Sequence, residues 1–218
     1  MNSSNTRNPV LLIHGIWDTS ALFNTMTAYL TKLGWPVYSL DLIPNNCDIG
    51  LDELARQVAD YAANIFEPAQ PFDLIGFSMG GIVSRYYVQR LGGINRVQRF
   101  ITISSPHQGT WLAHSSRRPG YLQMCPRSEF LRDLDRDVKM LDQVNFTSIW
   151  TPFDLMIVPA HSSKMPVGKE VVVPVPLHAQ MVTDPRSLKV VAEALMSPIK
   201  VNTSNETTEQ KIKIVGAD

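Results

Sequence analysis

The sequence predicts an α/β fold, a sheet of about six mostly parallel strands with helices on both of its faces. Three observations predict it. Short apolar runs such as "PVLLIH" (9–14), "FDLIGF" (72–77) and "VQRFITISS" (97–105) have the near-continuous hydrophobicity of strands buried on both sides. Segments with helical apolar spacing separate them, so strand and helix alternate along the chain. A length of 218 residues fits one domain able to bury a substantial core.

The elements follow in order. The run at 9–14 is the first strand. In "DTSALFNTMTAYLTKLG", Leu22, Met26, Tyr29, Leu30 and Leu33 keep helical period, Asp18, Thr19 or Ser20 is the expected cap, and Gly34 stops the helix. "WPVYSLDL" (35–42) is the second strand, with Pro36 at its start, where a missing N–H is tolerated. "LDELARQVADYAANIF" (51–66) is an amphipathic helix on Leu51, Leu54, Val58, Ala62 and Ile65. The third strand, 72–77, runs into the helix "MGGIVSRYYVQRLGG", which Gly92 and Gly93 end. Strand four is 97–105. Residues 106–145 break the rhythm, first irregular and then helical from a cap at Ser128. "FTSIW" (146–150) and "EVVVPV" (170–175) are strands five and six. "DPRSLKVVAEALM" closes the fold, with Asp184 as cap and Pro185 at its first position. Residues 1–8 read as an N-terminal tail, 9–197 as the domain and 198–218 as a polar C-terminal tail. The expected spatial order of strands is 2-1-3-4-5-6.

Composition excludes several classes. Hydrophobic residues at 44% and charged residues at 18% are those of a globular chain. Twenty basic residues balance twenty acidic ones, so no field recruits nucleic acid or an anionic membrane. No run reaches the roughly 18 apolar residues of a membrane span. Cys47 and Cys125 are too few and too far apart for a disulfide framework or a metal site, and read as two reduced thiols. "MNSSNTRNPV" has no apolar stretch of the signal-peptide kind, so the expected location is the cytoplasm and the expected state a monomer.

Gly76-Phe77-Ser78-Met79-Gly80 stands between a predicted strand and a predicted helix. That is the setting of a nucleophile elbow, a turn too sharp for side chains at both glycine positions, which lifts the serine hydroxyl above the sheet. A serine nucleophile needs a base, a group to orient that base, and donors for an oxyanion. In this arrangement serine, acid and histidine follow in that order, which removes His14. His107 and His114 precede any acid at the end of strand five, and His161 shares one loop with Asp154. His178 remains, just past strand six, at the sheet end where ligands gather. Asp154 follows strand five and is the expected acid. Asp133, Asp135, Asp137 and Asp142 lie among Arg132, Arg136 and Lys139 and read as a solvated face. Asp184 is explained as a cap. The Met79 amide, at a helix N-terminus, is one expected oxyanion donor. Ile16 in "HGIWD" is the other, with Trp17 as the fallback, and Gly15 lets that loop turn toward Ser78. His14 reads as a ring that fixes the loop by hydrogen bonding.

"LLIHGIWDTS", "DLIGFSMGGIVSRYY" and "ISSPHQGTWLA" resemble the small lipases and esterases of the α/β-hydrolase superfamily, the bacterial triacylglycerol-lipase type. "FDLMIVP" and "PLHAQMVTDP" match where that family keeps its acid and histidine. The resemblance, over about residues 9–196, implies a minimal α/β-hydrolase that cleaves carboxylic esters through an acyl-serine, with no cofactor and no metal. Its partner would be a small-molecule or lipid ester. The same constellation serves thioesterases, amidases and acyltransferases, and a hydrolase-fold protein that binds a ligand without turning it over is a reading of another class. The apolar content of 107–135, with Tyr121, Leu122, Met124 and Phe130 beside Arg117, Arg118 and Arg127, suggests a cap or acyl-binding segment. Trp17, Trp111 and Leu112 are the expected substrate contacts.

Overall fold

The computed structural model describes residues 7–200. The predicted tails at 1–8 and 198–218 therefore lie largely outside the described residues. Six strands form one sheet: β1 (Val10–Ile13), β2 (Val37–Leu40), β3 (Phe72–Phe77), β4 (Val97–Ile103), β5 (Asn145–Trp150) and β6 (Lys169–Val172). Their order is β2-β1-β3-β4-β5-β6 and every pairing is parallel, as the sequence predicts. The helices are α1 (Asn24–Lys32), α2 (Leu51–Ile65), α3 (Met79–Arg90), α4 (Pro119–Met124), α5 (Glu129–Arg136) and α6 (Pro185–Leu195).

Alternation along the strands builds two cores. Leu11 and Ile13 of β1 and Leu74 of β3 face a cluster with Leu54 and Val58 of α2 and Ile82 of α3. Val10 and Leu12, with Ile75 and Phe77, face the opposite way, onto Met26 and Leu30 of α1 and Val191 of α6. The sheet thus carries helices on both faces. The chain leaves β1 toward β2 and returns on the other side to β3, so the order of strand addition reverses between β1 and β3, where ligands of open α/β sheets settle.

Three local expectations change. No side chain caps the helix after β1: it begins as a 3-10 turn, Ser20–Phe23, and Thr19 precedes it without a cap bond. The Asp41 carboxylate, from the loop after β2, accepts the Ser20 amide instead. The helix that starts at Ser128 ends at Arg136, where Asp137 leaves helical geometry and a 3-10 turn, Val138–Gln143, takes over. Its acids keep much of their side chains in solvent, but three of them are also paired with arginines of another helix. Asp135 accepts from the fully buried Arg85 of α3 at 2.8 Å, and Asp133 and Asp137 accept from Arg90 at 2.9 and 2.7 Å. Partners more than forty residues away cannot be read from charge spacing on one helix.

Ser128 and Asp184 do cap, accepting from the amides of Leu131 and Arg186. The Arg186 guanidinium and amide hold the Asp184 carboxyl down at about 2. A carboxyl depressed in the folded state stabilises fully above its unfolded value and loses that contribution as pH falls through its folded value. Asp184→Ala should therefore cost about 1 kcal/mol at pH 7. Chemical denaturation of both proteins across pH should show the gap narrowing as pH falls from about 4 toward 2.

Candidate active site

Ser78 joins β3 to α3 with φ 53° and ψ −125°, a region that L-residues seldom occupy. Two glycines make the turn sterically open. A Cβ on Gly76 would lie 2.5 Å from the Gly81 Cα, and one on Gly80 would collide with the carbonyl oxygens of Ile13 and His14. Two backbone bonds hold the turn: Ser78 N donates to Ile103 O at 2.8 Å, and Gly81 N to Ser78 O at 3.0 Å. The serine is almost buried yet lines a cavity.

His178 opens a 3-10 turn after β6 and packs its ring 4.8 Å from the Phe77 ring, centroid to centroid, beside the elbow. Its Nδ1 donates to Asp154 Oδ2 at 2.7 Å. Asp154, 5% exposed, also accepts from the amides of Met156 and Ile157, both at 2.9 Å on Oδ1. Burial pushes this carboxyl up, but the His178 bond and the two amides outweigh it and hold it below its ordinary value. The carboxylate is thus ionised at neutral pH and keeps Nδ1 protonated, leaving Nε2 as the free basic atom of the ring.

The loop after β1 is locked from within. Leu42 N donates to His14 Nε2 at 2.9 Å, so the proton sits on Nδ1, which donates to Gly15 O at 2.8 Å. The ring fixes the loop, as the sequence suggests. The Trp17 amide donates to Asn45 O at 2.9 Å and is spent, which removes the fallback donor. The amides of Ile16 and Met79 enter no such bond among the described residues, and both residues line the cavity with Ser78. Asp18 lies nearby. Burial raises its carboxyl against the pull of His14 and His178.

That cavity measures about 150 Å³ and is mainly apolar, walled by Ile16, Met79, Leu112, Met124 and Met156 among others. Of the residues the sequence offers as substrate contacts, Leu112 lines this cavity. Trp111 is not, because Trp111–Ser115 is a 3-10 turn in which residues three apart share a side. Trp111 and His114 therefore line a separate cavity of about 460 Å³ with Arg127 and His161, which holds neither Ser78 nor His178. Trp17 stands exposed outside the small cavity, its Nε1 donating to the Tyr121 hydroxyl at 3.3 Å and its ring under the Arg118 guanidinium. Cys47 and Cys125 are both free thiols, and burial pushes Cys47 up to about 12.

Comparison with known proteins places the chain. The description of the palmitoyl protein thioesterase family matches residues 9–126, more than half of the sequence. The chain belongs to the palmitoyl protein thioesterase family. Human lysosomal thioesterase PPT2 is 30% identical over 131 residues, covering 54% of this chain and 42% of that protein. A triacylglycerol lipase of Pseudarthrobacter phenanthrenivorans is 30% identical over 116 residues, 50% of this chain and 36% of that one. This member of the family thus spans less than half the length of the curated relatives it matches. Among solved structures, Aspergillus fumigatus lipase B superposes with a TM-score of 0.76 at 20% identity, covering 93% of this chain and 55% of that one. The mature Bacillus licheniformis lipase BlEst2 superposes at 0.71 and 14% identity, over 89% and 94% of the two chains. These likenesses show the α/β-hydrolase fold of esterases and lipases. The resemblance read from the motifs holds at the level of an α/β-hydrolase fold of the esterase and lipase kind, and the family matched is that of the thioesterases.

Within this family member, sequence reasoning missed Thr110. Its hydroxyl donates to Met156 O and accepts from Val158 N, both at 3.0 Å, and so ties the segment after β4 to the loop that carries Asp154. No local pattern signals a bond between residues so far apart in the chain. No helix among the described residues is long and apolar enough to cross a membrane.

The elbow makes a sharp prediction. Gly80→Ala forces a methyl into the carbonyl oxygens of Ile13 and His14, which only backbone displacement relieves. It should destabilise the fold by about 2 kcal/mol or more, read as a lower denaturation midpoint. It should also slow modification of Ser78 by a fluorophosphonate. Parent-like stability and labelling would show that the close approach is not needed.

Proposed function

We propose that the protein is a serine hydrolase that cleaves acyl thioesters, with carboxylic esters as the second reading. The observation that carries the proposal is the His178–Asp154 pair beside a strained serine that opens into an apolar cavity. Thioester is placed first because the family match names a thioesterase, and because a thiolate leaves with less help from a general acid than an alkoxide does.

In this reading the Ser78 Oγ attacks the acyl carbon while His178 Nε2 takes its proton. The Ile16 and Met79 amides hold the oxyanion. The C–S bond then breaks and the proton passes to the departing thiol. Water, activated by the same ring, hydrolyses the acyl-serine, releasing the carboxylic acid and restoring the hydroxyl. Asp154 stabilises the imidazolium and fixes its orientation without accepting the proton.

Ser78→Ala and His178→Ala should each lower turnover by about a factor of 10⁶ while the protein keeps its melting temperature, since such residues act as a unit. Asp154→Asn should cost about 10⁴, by favouring the wrong tautomer. His161→Ala and His114→Ala, in the other cavity, should stay within several-fold of the parent. The assay compares a thioester and an oxyester of one acyl group, with fluorophosphonate labelling of Ser78 alongside. Retention of a tenth of the activity in folded Ser78→Ala would sink the assignment. A large preference for the oxyester would select the second reading. Labelling without turnover of either would favour a binding protein.

A further inference from the structure

We infer that the site encloses about the first six carbons of an acyl group, so that further carbons add nothing to kcat/KM, and that Met124 helps to set that break. The inference rests on the reading of Ser78 as the residue that accepts the acyl group. What carries it is the size of the apolar cavity at Ser78, about 150 Å³. A cavity of that volume in an apolar interior holds one benzene molecule, or about six carbons. A palmitoyl chain, the group in the family's description, would leave more than half of its carbons outside.

The cavity has a closed side and an open one. Met79, Ala113, Met124 and Ile157 are 0%, 1%, 5% and 2% exposed, whereas Leu112 and Met156 are 42% and 49% exposed at the opening. Met124 belongs to the same buried cluster as Met79 and Ala113. Its position is set by backbone contacts, because its carbonyl accepts the Thr110 amide at 3.0 Å. The helix that carries it packs so closely that a Cβ on Gly120 would lie 2.7 Å from the Cys47 Cβ. The wall therefore cannot retreat as a unit to lengthen the cavity. A chain longer than the cavity turns out across Leu112 and Met156, where water still reaches it.

Each methylene taken wholly into an apolar site is worth up to about fourfold in kcat/KM, and one left at a wet surface contributes little. The test is a series of N-acetylcysteamine thioesters from acetyl through hexanoyl to dodecanoyl, assayed below their aggregation limits on the full chain. In the parent, kcat/KM should climb up to about fourfold per methylene as far as hexanoyl and then level off. Met124→Ala, which opens the closed side, should move that break to longer chains. Should that variant fail to fold, Ala113→Leu fills the same side and should move the break toward butanoyl. Trp111→Ala, whose ring faces the other cavity, should leave the break in place. A steady climb through dodecanoyl in the parent would overturn the inference, as would a break that neither Met124→Ala nor Ala113→Leu shifts. Turnover without a break removes only the chain-length limit, and no turnover of any member removes the assigned function with it.

Discussion

The structure hangs on how closely α3 approaches β1. The turn at Ser78 brings Gly80 against the carbonyl oxygens of Ile13 and His14, a contact that no side chain could share. Holding Ser78 at positive φ costs on the order of 1–3 kcal/mol, and such strain persists only where the surroundings over-determine it. Here they do. The Ser78 amide is bound by β4, the helix begins at Met79, and Gly15 on the neighbouring loop leaves room beside the serine, where a Cβ would lie 3.0 Å from the Ser78 Cβ. One steric constraint thus sets the serine, the helix N-terminus and the loop after β1 relative to one another.

The second half of the site is fixed by electrostatics. Asp154 loses solvent on folding and is compensated by three donors, one from His178 and two from the backbone of its own loop. The residues that donate those amides, Met156 and Ile157, also line the cavity at Ser78. Thr110 ties the same loop to the segment after β4, whose residues Leu112 and Ala113 form more of the lining. The hydrogen bonds that hold the acid in register therefore also shape the apolar cavity. A change that loosens this loop would disturb the orientation of His178 and the fit of an acyl group together.

Much of this was legible in the sequence, for physical reasons that differ by element. The parallel sheet covered on both faces followed from alternation, because a strand buried on both faces has to be apolar throughout, and the order of its strands came with the resemblance to the α/β-hydrolase fold. The elbow was legible because glycine is required where a Cβ cannot fit, and Asp154 and His178 because chain order places them at successive strand ends. Trp111 misled because its segment winds with three residues per turn, and nothing in the composition distinguishes that from another irregular loop. The acids of α5 misled for the opposite reason. Their partners, Arg85 and Arg90, lie on another helix, so local charge spacing described only their neighbours. Thr110 left no trace, since a hydroxyl that bridges two loops looks like any other threonine.

The family match adds one more step. It covers residues 9–126, which include the oxyanion loop, Ser78 and the wall carrying Leu112, Ala113 and Met124. Asp154, His178 and the facing wall at Met156 and Ile157 lie beyond it. The part shared with the family therefore supplies the candidate nucleophile and the closed side of the cavity. The remainder supplies the candidate base and acid, the exposed Met156 and the buried Ile157 of the facing lining. In the proposed mechanism both parts are needed, since Ser78 would have no base without His178. Both parts contribute buried lining to the cavity, Met124 and Ala113 from the first and Ile157 from the second. The lining of the cavity is thus drawn from one short helix, one 3-10 turn and the loop after β5, while the hydrogen-bonded pair of His178 and Asp154 is held by the second part of the chain alone.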